Sequence, residues 1–75
     1  MRHWLKQFRL AKGFTQEEVA KMSGISRSYY ADVERGIANA GGSAAKRIAD
    51  TLGFDMALFF EDKLRVTRQS KRKPA

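Results

Sequence analysis

Between residues 27 and 32 the chain places a guanidinium, a hydroxyl, a phenol and a carboxylate: Arg27, Ser28, Tyr29 and Asp32. These groups donate and accept hydrogen bonds in directed ways. Catalysis needs more, namely a nucleophile beside a base or a metal with its ligands. The chain has one His, His3, and no cysteine. His-cluster and thiolate metal sites are excluded, and so is a disulfide. His3 reads as a solvated residue near the N-terminus. The sequence therefore points to recognition, with no enzymatic role, no metal and no cofactor.

Recognition groups need a rigid element under them. A helix is predicted from Arg2 to Lys12, with Leu5 and Phe8 on one face and Gly13 as its stop. A second starts after Thr15, where Thr15 and Glu18 form a T-x-x-E capping box. Phe14 and Val19 have the spacing of a hydrophobic staple, and Gly24 ends the helix. The third follows Ser26 as N-cap. Tyr30 and Val33 are its predicted inward residues, which turns Arg27, Ser28, Ala31 and Asp32 outward and leaves Tyr29 on one flank. Gly36 closes it, and residues 37–42 form a loop. Ser43 is the predicted N-cap of a fourth helix to Leu52, with Ala45, Ile48, Ala49 and Leu52 on its buried face. Asp55 caps a short fifth helix, with Phe54, Leu58 and Phe59 inward. Nothing alternates with period two, so the expected class is all-α.

Seventy-five residues allow one domain. The net charge of +7 favours an anionic partner. Residues 62–75 carry six Lys/Arg against one acid, whereas residues 1–61 carry nine against seven. The expected division is a folded unit at 1–61 and a basic, flexible tail at 62–75, with 66–75 disordered in the free chain. The longest apolar run, Met56–Phe60, is too short to span a bilayer. No signal peptide is legible, and the expected location is cytoplasmic.

The short connection from Ser23 to Ser26 makes the second and third helices meet steeply, as in a helix-turn-helix. At this point the sequence resembles the lambda-repressor-like, Xre/Cro-type helix-turn-helix domains. The resemblance is carried by Arg9, "GFTQEEVA" at 13–20, "GIS" at 24–26, "VERG" at 33–36 and "LGF" at 52–54. It covers about residues 4–60. There are departures. Ser23 stands where a large apolar residue is usual, Tyr30 where an aliphatic one is, and "NAGGS" replaces Asn-Pro-Ser in the loop.

The resemblance implies a compact five-helix fold that binds double-stranded DNA as a small transcriptional regulator. A repressor of phage, mobile-element or restriction-modification-controller type is expected, bound to a palindromic operator as a homodimer. It places Arg27, Ser28 and Asp32 at base-reading positions. Arg27 suits guanine O6 and N7, and Ser28 discriminates weakly. Asp32 either accepts from a cytosine amino group or orients Arg35 or Arg27. Ala31 is small enough to meet a thymine methyl. Gln16 and Thr15, at a helix N-terminus, are expected on phosphate, followed by Tyr29, Arg35 and Asn39. Arg9 and Glu34 are expected to form a structural ion pair. Met56 and Phe60 are candidates for the dimer face. The rival reading is a protein-interaction module, antitoxin-like or regulator-binding, with DNA contact secondary.

Overall fold

The computed structural model describes residues 1–61; the basic tail expected at 62–75 lies outside the described residues. Four helices run α1 (His3–Ala11), α2 (Gln16–Ser23), α3 (Arg27–Arg35) and α4 (Gly42–Leu52). A fifth, α5, starts at residue 57 and is described to residue 61. No strand occurs among the described residues.

The helix boundaries follow local chemistry. At α2, Thr15 Oγ1 accepts from the Glu18 N–H (3.1 Å) and Glu18 Oε1 accepts from the Thr15 N–H (2.8 Å), completing the capping box. At α3, Ser26 Oγ accepts from the Tyr29 N–H at 3.0 Å. Gly24 and Gly36 then end these helices with φ of 69° and 84°, where a side chain would be strained. At α5, Asp55 Oδ1 accepts from the Ala57 N–H at 2.9 Å.

The start of α4 differs from expectation. Ser43 lies inside the helix, and Gly41 is the N-cap in extended conformation. The Tyr29 hydroxyl accepts from the Gly41 N–H (3.2 Å), and Gly41 O already accepts from Ala45 N–H (2.7 Å). A tertiary bond thus fixes the N-cap residue Gly41, no side chain caps the first turn as the serine hydroxyl was expected to, and the helix begins earlier.

The core gathers Leu5, Val19, Tyr30, Val33, Ile48 and Leu52, each at most 1% exposed. Burying side chains of this size contributes about 1.5–3 kcal/mol apiece. Beneath α5, Trp4 meets Phe54 and Phe59 edge-on at centroid distances of 5.4 and 5.1 Å. Phe59 is buried, whereas Leu58 and Phe54 are half-buried. Helix α2 packs against α3 and α4, and α1 packs on α3. Ser23 is buried where a large apolar residue was expected, its Oγ 3.2 Å from Thr51 Oγ1. The Thr51 hydroxyl donates to Arg47 O (2.8 Å), so Ser23 must be the donor between the two hydroxyls.

Candidate nucleic-acid interface

The interface is built from the bottom by one buried carboxylate. Glu34 is 1% exposed. Arg9 donates to it twice, Nε to Oε2 at 2.8 Å and Nη2 to Oε1 at 3.2 Å. Tyr30 Oη donates to Oε2 (2.8 Å) and Gln16 Nε2 to Oε1 (3.0 Å). Burial alone would raise the Glu34 pKa; the bonds from Arg9, Gln16 and Tyr30 outweigh it and hold the carboxyl below its ordinary range. Burial and the adjacent carboxylate push the Tyr30 phenol well up. The bond to Glu34 raises the Arg9 guanidinium further. Tyr30 departs from the usual aliphatic because its hydroxyl is one of the four donors this carboxylate uses. The ion pair expected between Arg9 and Glu34 is present.

That network joins α1, α2 and α3, and so sets the two helix N-termini relative to each other. An open cleft of about 660 Å³ lies between them, lined by Gly13, Phe14, Thr15, Gln16, Glu17 and Arg27 among others. The capping box satisfies the Glu18 N–H, which leaves the first-turn N–H groups of Gln16 and Glu17 for an outside acceptor. Thr15 Oγ1 accepts in the cap, and its own hydrogen remains to donate. Gln16 gives one amide hydrogen to Glu34 and retains the second.

On α3, Arg27 and Ser28 are exposed at the N-terminal end. Asp32 is half-buried and pairs with Arg35 at 3.5 Å, an i,i+3 spacing. The pairing supports the role in which Asp32 orients Arg35, and its partly exposed carboxylate leaves the cytosine contact open. Ala31 does not face out as expected: it is 8% exposed. Its neighbours three and four residues away on α3 are Arg27, Ser28, Glu34 and Arg35, all longer side chains beside its single methyl. The buried arc of α3 is therefore wider than Tyr30 and Val33 alone.

Tyr29 and Asn39 serve the loop. Tyr29 Oη donates to Asn39 O (3.2 Å) while accepting from Gly41 N–H. Asn39 Oδ1 accepts from Arg2 Nη2 at 2.7 Å. Both remain on the flank of α3, with their principal polar atoms engaged inside the protein. Sequence reasoning missed Arg2, which is 7% exposed and bonded to the end of α3 and the loop after it. Nothing local distinguishes it from a solvated helix-start arginine.

Away from the cleft, Met56 and Phe60 are 40% and 65% exposed. They border an apolar groove of about 570 Å³ with Ala40, Gly42, Ala45 and Phe59. Among the described residues no helix is long and apolar enough to cross a membrane. Nor does any group of three or more His, Asp or Glu there come together to hold a metal.

The comparisons with known proteins agree with this geometry. A family model described as Helix-turn-helix matches residues 5–59. The chain is also 47% identical, over 75 residues, to an uncharacterized HTH-type transcriptional regulator, YqaF, of Bacillus subtilis (strain 168). That alignment covers 100% of this chain and 99% of the relative. With its capped α2–turn–α3 unit, its all-helical core and both of these matches, the chain belongs to the Xre-like helix-turn-helix family of transcriptional regulators.

Proposed function

We propose that this chain reads a specific double-stranded DNA sequence and regulates transcription as a small cytoplasmic repressor. The observation that carries this reading is the shared surface of two helix N-termini. The first-turn N–H groups of α2 stand ready for a phosphate, and Arg27 projects from the start of α3 across the same cleft. An α3 laid in the major groove would present Arg27 and Ser28 to base edges, as recognition helices do. The Arg27 fork matches guanine O6 and N7. Asp32 acts by steering Arg35, which with Asn39, Thr15 and Gln16 forms the phosphate-contacting rim; the Tyr29 hydroxyl, spent on the loop, holds Asn39 beside it. Glu17 also lines the cleft, so phosphate is expected nearer Thr15 and Gln16 than the Glu17 carboxylate.

One such unit reads only a few base pairs. The exposed Phe60 and Met56 beside an apolar groove favour a homodimer through α5, reading half-sites about 34 Å apart. The residues at 62–75 add a sequence-independent grip on phosphates through their net charge.

Selection of bound duplexes from a random pool at two salt concentrations tests the proposal. A palindromic motif with guanine at a fixed place is expected. Arg27→Ala should relax preference at that place by about 1–3 kcal/mol. Recovery of no preferred sequence at low ionic strength would sink the reading.

A further inference from the structure

We infer that Arg2 is a positioning residue for base reading: it fastens the C-terminal end of α3 to the loop that follows. The inference rests on the DNA-reading role of α3 proposed above.

The last carbonyls of a helix have no partner within it. In α3, Asp32 O accepts from the N–H groups of Ile37 (3.0 Å) and Ala38 (3.2 Å). Val33 O accepts from the Gly36 N–H (3.1 Å), and Arg2 adds to it and takes up the next carbonyl. The Arg2 main-chain N–H donates to Glu34 O at 2.8 Å, and its Nη1 donates to Val33 O. Nη1 also reaches Ala38 O (2.9 Å) and Nη2 reaches Asn39 Oδ1 (2.7 Å). The guanidinium carbon stands 5.9 Å from the centroid of the Phe59 ring. One side chain from before α1 thus grips the helix end, the loop backbone and the face of α5. A planar fork makes this possible, since its donors point in fixed, diverging directions. The positive charge also complements the negative end of the α3 dipole.

The consequence is mechanical. Ser26 holds the first turn of α3 and Arg2 holds the last. Arg27 lies at the opposite end of a nine-residue helix from this clamp. Freeing the last turn lets α3 tilt, which takes the Arg27 fork off its two guanine acceptors. Because the Arg2 guanidinium is turned inward, it adds nothing to the phosphate grip. Losing it should therefore reduce discrimination between sequences and leave general DNA affinity alone.

The test compares Arg2→Ala, Arg2→Lys and Arg2→Gln with the wild-type chain, at a temperature where circular dichroism shows each folded. Affinity is measured for the selected operator and for a scrambled duplex, at several salt concentrations. Amide exchange at Ile37 and Ala38 is measured without DNA. For Arg2→Ala, those amides should exchange faster, and the operator-to-scrambled ratio should fall about tenfold, the size of one lost base contact. Scrambled-duplex affinity and salt slope should stay unchanged. Arg2→Lys keeps the charge and should not restore the ratio. Arg2→Gln loses the fork but keeps one donor group, and should show the same signature, smaller, which serves if Arg2→Ala does not fold. Equal losses on both duplexes, with a salt slope reduced by about one, would make Arg2 a phosphate contact and overturn the inference. Full rescue by lysine would overturn it too, as would unchanged exchange at Ile37 and Ala38. If the wild-type chain itself prefers no duplex, the function proposed above fails and the base-reading role of Arg2 falls with it. The exchange data would still report separately whether Arg2 holds the helix end.

Discussion

Glu34 is the residue on which the interface depends. Four donor groups from Arg9, Tyr30 and Gln16 converge on its two oxygens. Removing one partner of a buried pair leaves the other charge uncompensated, at about 3–5 kcal/mol. Glu34→Ala should therefore remove most of the roughly 5 kcal/mol that small domains hold and bring the melting transition down towards room temperature. A melting curve superimposable on wild type would refute this. The carboxyl also sets an acid limit. Its folded pKa lies below the unfolded value of about 4.3. Its contribution is thus complete above about pH 4.3 and is lost as pH falls through the lowered folded value. Denaturant midpoints measured from pH 6 downward should hold steady and then drop in that acid window; a drop centred near neutrality would not come from Glu34. At this scale the sequence was half legible. The Arg9–Glu34 pair could be inferred from family resemblance, because both partners belong to the shared pattern. Tyr30 Oη and Gln16 Nε2 on the same carboxylate could not, since side-chain direction across a helix junction depends on packing that no local pattern encodes. Arg2 was invisible for the same reason: the acceptors it reaches at Val33, Glu34, Ala38 and Asn39 lie more than thirty positions away in the chain.

Helices were legible wherever their ends carry their own chemistry. Thr15 with Glu18, Ser26, Gly24 and Gly36 mark the boundaries of α2 and α3, and the observed caps use these same residues. Thr15→Ala should cost about 0.5–2 kcal/mol. For a domain this small, each kcal/mol lowers Tm by roughly 4–8 °C. Thermal denaturation followed at 222 nm measures this directly, and an unshifted Tm would show the cap to be dispensable. The start of α4 was misread because the decisive bond there is not local. Ser43 looks like a cap, but Tyr29 from α3 holds Gly41 and moves the boundary back to Gly41. Ala31 was misplaced by a different fault. The turn-by-turn pattern locates the centre of a buried arc and says little about its width, which neighbouring long side chains set.

At the scale of the whole molecule, two faces stand apart. One carries the α2 and α3 N-termini; the other carries Met56, Phe60 and the groove beside them. If the second face pairs two copies, Phe60→Glu should yield a monomer in sedimentation. It should weaken binding to a full palindrome and leave half-site affinity unchanged. A variant that remains dimeric would move the interface elsewhere. The all-helical class followed from the absence of any alternating run, and the order of the helices from their caps. The groove was not legible, because it lies between the α3–α4 loop and α5, segments separated in sequence and brought together only by folding.

Trp4 is the single tryptophan in the chain. It lies edge-on to Phe54 and Phe59, just beneath the helix that bears Phe60. All indole emission therefore originates at one place, the seam where α1 supports α5. The native chain carries its own optical probe of that seam, and seating or release of α5 can be followed without attaching a label.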